Sequence, residues 1–213
     1  MNKKSPVYVL SFMAAICLVF GTGIAIVNYA TQGLLAKNAV LHRNRVLCRA
    51  FDLPVDGTSA DAYQQAVDQH LVAEEQDGRA VYRRTTPGHE SLGFEFGGMG
   101  FWDRIEGVIV LSPDLQTVRN IQFLDQKETP GLGARIEESW FTDQFKGLQI
   151  DWDNPRGDRL VVGASPDPDP KNRVDAITGA TQTSMALGRF LNDELDRIRS
   201  QYSQPLNPEP LNP

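Results

Sequence analysis

The chain has 213 residues, 41% of them hydrophobic, with 21 basic and 27 acidic residues and a formal charge of −6. That length suits one domain with additional segments, and the hydrophobic share suffices for an ordinary core. All the acids lie from Asp52 onward, against 15 of the bases, a net of −12 for that part; this argues against nucleic acid, whose binding rests on Lys and Arg neutralising phosphates.

In chain order, the first element is an uncharged apolar run from Val7 to Tyr29, with Tyr8 and Tyr29 near its ends. It is long enough to cross a hydrocarbon core, which takes about 20 apolar residues, and the tyrosines suit the interfaces. A signal peptide has a shorter apolar region and a small-residue cleavage site, so the run reads as an uncleaved anchor after a short end, residues 1–6. Lys3 and Lys4 precede it, while Lys37, Arg43, Arg45 and Arg49 follow it. Taken alone, the positive-inside rule favours a cytoplasmic main domain, although it weakens for long translocated domains. Residues 30–57 read as a juxtamembrane helix and linker, with Val40, Leu41, Leu47 and Phe51 as its apolar positions.

A single domain is expected over residues 58–200. Ala60–Gln76 has the pattern of a polar amphipathic helix, with Ala66, Leu71 and Val72 as its contacts. Residues 78–84 and "LGFEFGG" suggest short strands, and Arg104–Leu124 is the clearest hairpin, two β-branched runs around Ser-Pro-Asp. Glu137–Phe145 reads as a short helix, Arg159–Val162 as a strand and Ser165–Asn172 as a Pro/Asp loop. A helix follows to about Arg199, with Met185, Phe190, Leu191, Leu195 and Ile198 inward and Asp193, Glu194, Arg197 and Arg199 in water. The Pro-rich tail, residues 201–213, is expected to be disordered. Hairpins outnumber βαβ units, so the fold class is α+β, with a mainly antiparallel sheet and flanking helices.

Two stretches carry chemistry. "VDAITGAT", Val174–Thr181, gathers hydroxyl and small residues at the start of the last helix. Thr178 or Thr181 could simply be an N-cap. The same geometry also makes an anion site, because a helix start has free N–H groups and a positive dipole end. Gly179 and Ala180 let a phosphate approach the backbone, and a threonine hydroxyl there could be esterified to it. "ETPGLGARI", Glu128–Ile136, follows the second hairpin strand; Pro130, Gly131 and Gly133 demand a tight turn. Gly usually means a structural turn, but such a turn is also a ledge for a planar ring, with Glu128, Thr129 and Arg135 beside its edges. The two cysteines, Cys17 and Cys48, form no CxxC pair, iron–sulfur spacing or disulfide framework, so any electron carrier here is organic. The three histidines, His42, His70 and His89, suggest no catalytic set.

"Asp175-Ala-Ile-Thr178-Gly-Ala-Thr181" resembles the D-x-x-[ST]-G-A-T flavinylation motif, and "ETPGLGARI" resembles the companion loop of the same FMN-binding domain family. Together with the anchor they resemble the C subunit of the sodium-translocating NADH:quinone oxidoreductase (Nqr) and the G subunit of the Rnf complex. The resemblance implies covalent FMN, as a phosphoester on Thr181, installed by a separate flavin transferase. Asp175, Thr178, Gly179 and Ala180 would then be recognition residues, and Glu128, Thr129, Pro130, Gly131, Leu132 and Gly133 would border the flavin; no metal is expected. It implies a single-pass protein of the cell (inner) membrane with its domain on the outer face, against the charge count. It also implies an electron-carrying subunit working with other membrane subunits rather than a complete enzyme. A membrane-anchored flavin redox sensor or accessory module is the alternative, although no output domain is visible after Arg199. The "GFWDRIEGVIVL" entry to the hairpin, with Trp102, leans toward the Nqr type.

Overall fold

The computed structural model describes residues 5–76, 79–154, 157–164 and 171–202, and the chain divides into two compact units, one ending at His42 and one beginning at Arg43. Most of the expected tail lies outside the described residues, as does most of the Pro/Asp loop. The first unit is helical, part of α1 (Pro6–Ala50), the described helix long and apolar enough to cross a membrane. Almost every side chain from Val7 to Tyr29 is exposed, which in water would be costly at roughly 25 cal/mol per Å² of apolar surface.

The second unit is built on a five-stranded antiparallel sheet in simple chain order: β1 (Leu71–Gln76), β2 (Arg79–Arg84), β3 (Ser91–Met99), β4 (Arg104–Leu111) and β5 (Val118–Asp125). The hairpin pairs Ile109 with Ile121 and Gly107 with Phe123. Helices on a mainly antiparallel sheet make this the expected α+β class.

One face of the sheet is covered by α4 (Thr181–Tyr202). Phe94, Phe96, Ile105, Ile109, Ile121 and Phe123 pack there with Leu187, Phe190, Leu191, Leu195 and Ile198. Burying each such side chain contributes about 1.5–3 kcal/mol. Gly98 lets the Phe190 ring lie directly on β3, since a Cβ there would meet Phe190 Cδ1 at 2.6 Å. Two expectations for α4 are corrected. Met185 points outward, 62% exposed, because it lies off the stripe that faces the sheet. Glu194 is buried, where Arg79 of β2 and Arg197 pair with it. A buried carboxylate needs such partners, and the sequence pattern alone did not disclose Arg79.

The opposite face is covered by the last turns of α1 and by α2 (Ala60–His70). Leu47, Cys48, Ala50 and Phe51 pack with Tyr82, Val108 and Val110. This compact unit therefore starts at Arg43, fifteen residues before the expected domain start. Carbonyls at the end of α1 are satisfied from the sheet: Asn120 Nδ2 donates to Arg49 O at 2.9 Å, and Arg84 Nη1 donates to Phe51 O. Arg84 also places a cation at the negative end of the helix. Ser59 caps α2, accepting from Ala62 N at 3.1 Å.

The helix expected over Ala60–Gln76 is half correct. It stops at His70, and Leu71–Gln76 forms β1, paired from Leu71↔Arg84 to Gln76↔Arg79. Pairing with β2 outweighs the weak local preference of Ala-Glu-Glu-Gln. Glu137–Phe145 is a series of short turns: a 3-10 turn over Gly133–Glu137, α3 (Ser139–Thr142) and a second 3-10 turn over Asp143–Phe145. The late strand is two residues, β6 (Val161–Val162), parallel to the unforeseen β7 (Arg173–Val174).

Candidate functional site

Sequence-distant segments meet at the start of α4. The loop after β5 and the helix start line one open cleft of about 280 Å³, bounded by Glu128, Thr129, Leu132 and Gly133 on one side and Gly179 to Thr183 on the other. Phe101, from the turn between β3 and β4, closes a third side.

Glu128 ties these segments together. It is 5% exposed. Its Oε1 accepts from the backbone N–H of Phe101 at 2.8 Å and of Trp102 at 3.0 Å, and its Oε2 accepts from Thr183 Oγ1 at 2.7 Å. Small residues make this possible. A Cβ on Gly133 would meet Thr183 Oγ1 at 2.6 Å and Glu128 Oε2 at 2.8 Å, and one on Gly100 would collide with Glu128 Oε1. Gly133 thus serves a close approach as much as a turn. The same turn is held a second time: Trp102 Nε1 donates to Thr129 Oγ1 at 2.9 Å, and Lys127 Nζ lies 3.0 Å from Asp103 Oδ2. The Arg104 N–H and Lys127 together hold the Asp103 carboxyl below its ordinary value.

The two threonines of the helix start differ sharply. Thr181 is exposed on the cleft rim, at the first position of α4. Thr183 is 3% exposed and its hydroxyl is committed to Glu128. Thr181 is therefore the hydroxyl that a large partner can reach. Helix geometry leaves the N–H groups of the first turn without intrahelical acceptors, and the first such bond found here is Ser184 N to Ala180 O at 3.0 Å. Gly179 has φ +80° and approaches Leu132, its backbone bare on the solvent side. Neither Thr178 nor Thr181 stands in the cap position; Ala180 does.

Of the expected site residues, Glu128, Thr129, Leu132, Gly133, Gly179, Ala180 and Thr181 line the cleft, while Pro130 and Gly131 are exposed beside it. Asp175 and Thr178 are exposed and do not line it. Asp175 pairs with Arg173 at 2.6 Å. The sequence reading missed Phe101 as a wall, Gly100 as the space for Glu128, and Thr183 as its partner. An exposed Phe-Trp pair in a glycine-rich turn was the available signal for the first.

The arrangement defines a class: an α+β domain with an open helix start, a reachable hydroxyl and an apolar-walled cleft beside it. Residues 100–196 match the FMN-binding domain family. The chain is similar to the C subunit of the Na(+)-translocating NADH-quinone reductase from Pasteurella multocida, 40% identical over 90 residues that cover 42% of this chain and 34% of that protein. The Yersinia pestis C subunit is 35% identical over 96 residues, 45% of this chain and 36% of that protein. The chain thus spans about a third of the length of these curated relatives. The fold matches the crystal structure of the C subunit from Parabacteroides distasonis (TM-score 0.63, 22% identity, 77% of this chain and 92% of that one) and of Shewanella oneidensis NqrC (0.60, 18%, 71% and 89%). The residues that line the cleft all lie within the stretch that matches the FMN-binding domain family.

Proposed function

We propose that this chain is a membrane-anchored electron-transfer subunit that carries FMN as a phosphoester on Thr181, within an Nqr C-like or Rnf G-like complex. The observation that carries the proposal is the convergence of the helix start and the 128–133 loop on one cleft, with Thr181 as its exposed hydroxyl.

The residues present fit FMN. The first-turn N–H groups and the bare Gly179 suit a phosphate. Phe101 and Leu132, 54% and 41% exposed, offer apolar walls to a planar ring. The cleft is at the small end of ligand sites, which run from about 300 to 1,000 Å³, so it leaves much of an FMN uncovered. A covalent tether offsets that incomplete enclosure. Bound FMN supplies the redox chemistry, and the protein supplies position and electrostatics. Here the protein's part is structural: Glu128 holds the aromatic turn against the loop, and the start of α4 holds the phosphate end.

Attachment requires an activated flavin nucleotide and a transferase. Thr181 Oγ forms a bond to phosphorus, a phosphoanhydride P–O bond breaks, and the hydroxyl proton leaves with the departing nucleotide. Other membrane subunits serve as electron donor and acceptor. The domain is placed on the outer face of the cell membrane, where the transferase of the family acts. Of the bases that oppose this topology, Arg43 is engaged by Tyr82 and Glu95 within the folded domain.

The test is flavin fluorescence of the denatured chain in a gel after coexpression with a flavin transferase. Thr181→Ala abolishes it and Thr183→Ala retains it; the reverse pattern would move the attachment site by two residues. Alkaline phosphatase fused after Arg199 is active on the outer face, because its disulfides need the oxidising side. An inactive fusion would reverse the topology.

A further inference from the structure

The segment from Val174 to Ser184 forms a strap whose residues divide by direction. Asp175, Thr178, Gly179 and Thr181 are exposed, while Val174, Ile177, Ala180 and Ser184 are buried, Ile177 and Ser184 each at 1%. Its middle is clasped from within: Ser184 Oγ accepts from Ile177 N at 3.1 Å and donates to Ala180 O at 3.0 Å. Its beginning is held from outside the motif. Asp175 N donates to Gln144 Oε1 at 2.7 Å, across 31 positions of sequence. Gln144 belongs to the 3-10 turn over Asp143–Phe145, whose Phe145 is fully buried in the core.

These contacts have a consequence for attachment. An extended peptide would present Asp175 and Thr181 at any of many separations. Here the strap is bound at both ends, so the exposed acid and the exposed hydroxyl have one relative placement. Ordering a backbone residue costs conformational entropy. A modifying enzyme that meets an ordered strap is spared that cost for the residues it reads, whereas one that meets a loose strap is not.

We propose that Gln144 is a positioning residue for flavin attachment: through Asp175 N it holds the strap in the shape that the flavin transferase recognises on the folded domain. The inference rests on Thr181 as the acceptor. Gln144 touches neither the hydroxyl nor the phosphorus; it acts through the backbone of Asp175. Ser184 does the same for the turn between Ile177 and Ala180.

The experiment uses the purified full-length chain, produced without the transferase, then mixed with purified flavin transferase and flavin adenine dinucleotide. The initial rate of flavin incorporation is read as gel fluorescence at several chain concentrations, and the melting temperature of each variant is measured alongside. Gln144→Met removes the acceptor at similar length, and Gln144→Glu keeps an oxygen in its place. One hydrogen bond is worth about 1 kcal/mol, roughly a fivefold effect. The expected result is a roughly fivefold lower kcat/KM for Gln144→Met at unchanged melting temperature, with Gln144→Glu close to wild type. Ser184→Ala gives a loss in the same direction, and Ser184→Thr, which keeps a hydroxyl, recovers part of it. Labelling of Gln144→Met at the wild-type rate overturns the proposal. So does a loss that Gln144→Glu shares, or one matched by a fall in melting temperature, since either marks a purely structural contact. Thr181→Ala, run in parallel, separates the two levels: label retained there removes the attachment site itself, whereas label lost there with Gln144 neutral removes only the positioning role.

Discussion

Both faces of the sheet are covered, but by different chemistry. On the α4 face the cover is an apolar stripe, Leu187, Phe190, Leu191, Leu195 and Ile198, flanked by buried Asn192 and by Glu194 with its arginine partners, and at the helix start Glu128 meets Thr183. On the face under α1 and α2, polar groups run through the contact. Arg43 Nε donates to the Tyr82 hydroxyl at 2.9 Å, that hydroxyl donates to Glu95 at 3.0 Å, and Arg84 and Asn120 hold the end of α1. The difference shows where rigidity is needed. The α4 face fixes a helix by its core and leaves its first turn open to a ligand, while the other face locks a helix end with directed hydrogen bonds.

The strongest way to break this comparison is to add a side chain on each face. Gly133→Val and Gly93→Val both overpack: at Gly93 a Cβ would collide with Phe51 Cζ, lie 2.8 Å from Phe51 Cε2 and meet Val108 at 3.4 Å. Each is expected to destabilise by about 1–3 kcal/mol, measured by chemical denaturation. Only Gly133→Val should also change the flavin spectrum. Equal spectral changes in both would mean that the faces are not independent.

A smaller effect comes from Thr183→Val, nearly isosteric but without the hydroxyl. It leaves Glu128 Oε2 without its buried donor, at a cost of about 1–3 kcal/mol, or a melting temperature lowered by at least about 2 °C in a chain this size. Fluorescence of the denatured chain should persist. Loss of label with full stability would assign Thr183 a role in attachment.

The smallest effect sharpens the other face. Burial, reinforced by the Glu95 charge and opposed by Arg43, pushes the Tyr82 hydroxyl from its ordinary 10.0 up to about 12. The fold therefore favours the protonated phenol. That contribution is full below pH 10 and is lost as pH rises through 12. Tyr82→Phe should flatten the decline in stability between pH 10 and 12 relative to wild type, and an unchanged slope would show that Tyr82 does not carry it.

Much of this was legible from residues alone. The apolar run at Val7–Tyr29, the Arg104–Leu124 hairpin and the inward positions Phe190, Leu191, Leu195 and Ile198 follow from local periodicity, and the structure has them. Local periodicity failed where pairing decided. Leu71–Gln76 became a strand because β2 lay beside it, and β7 was too short to leave a pattern. The two motifs were visible as strings, each with a structural explanation of its own. That they share one cleft, that Thr181 is open while Thr183 is closed by Glu128, and that Gln144 holds Asp175 are contacts across 31 to 55 positions. No spacing rule reaches so far: a sequence specifies which side chains exist and which face of an element they occupy. Only the packed core brings distant elements within hydrogen-bonding distance and decides which hydroxyl stays in water.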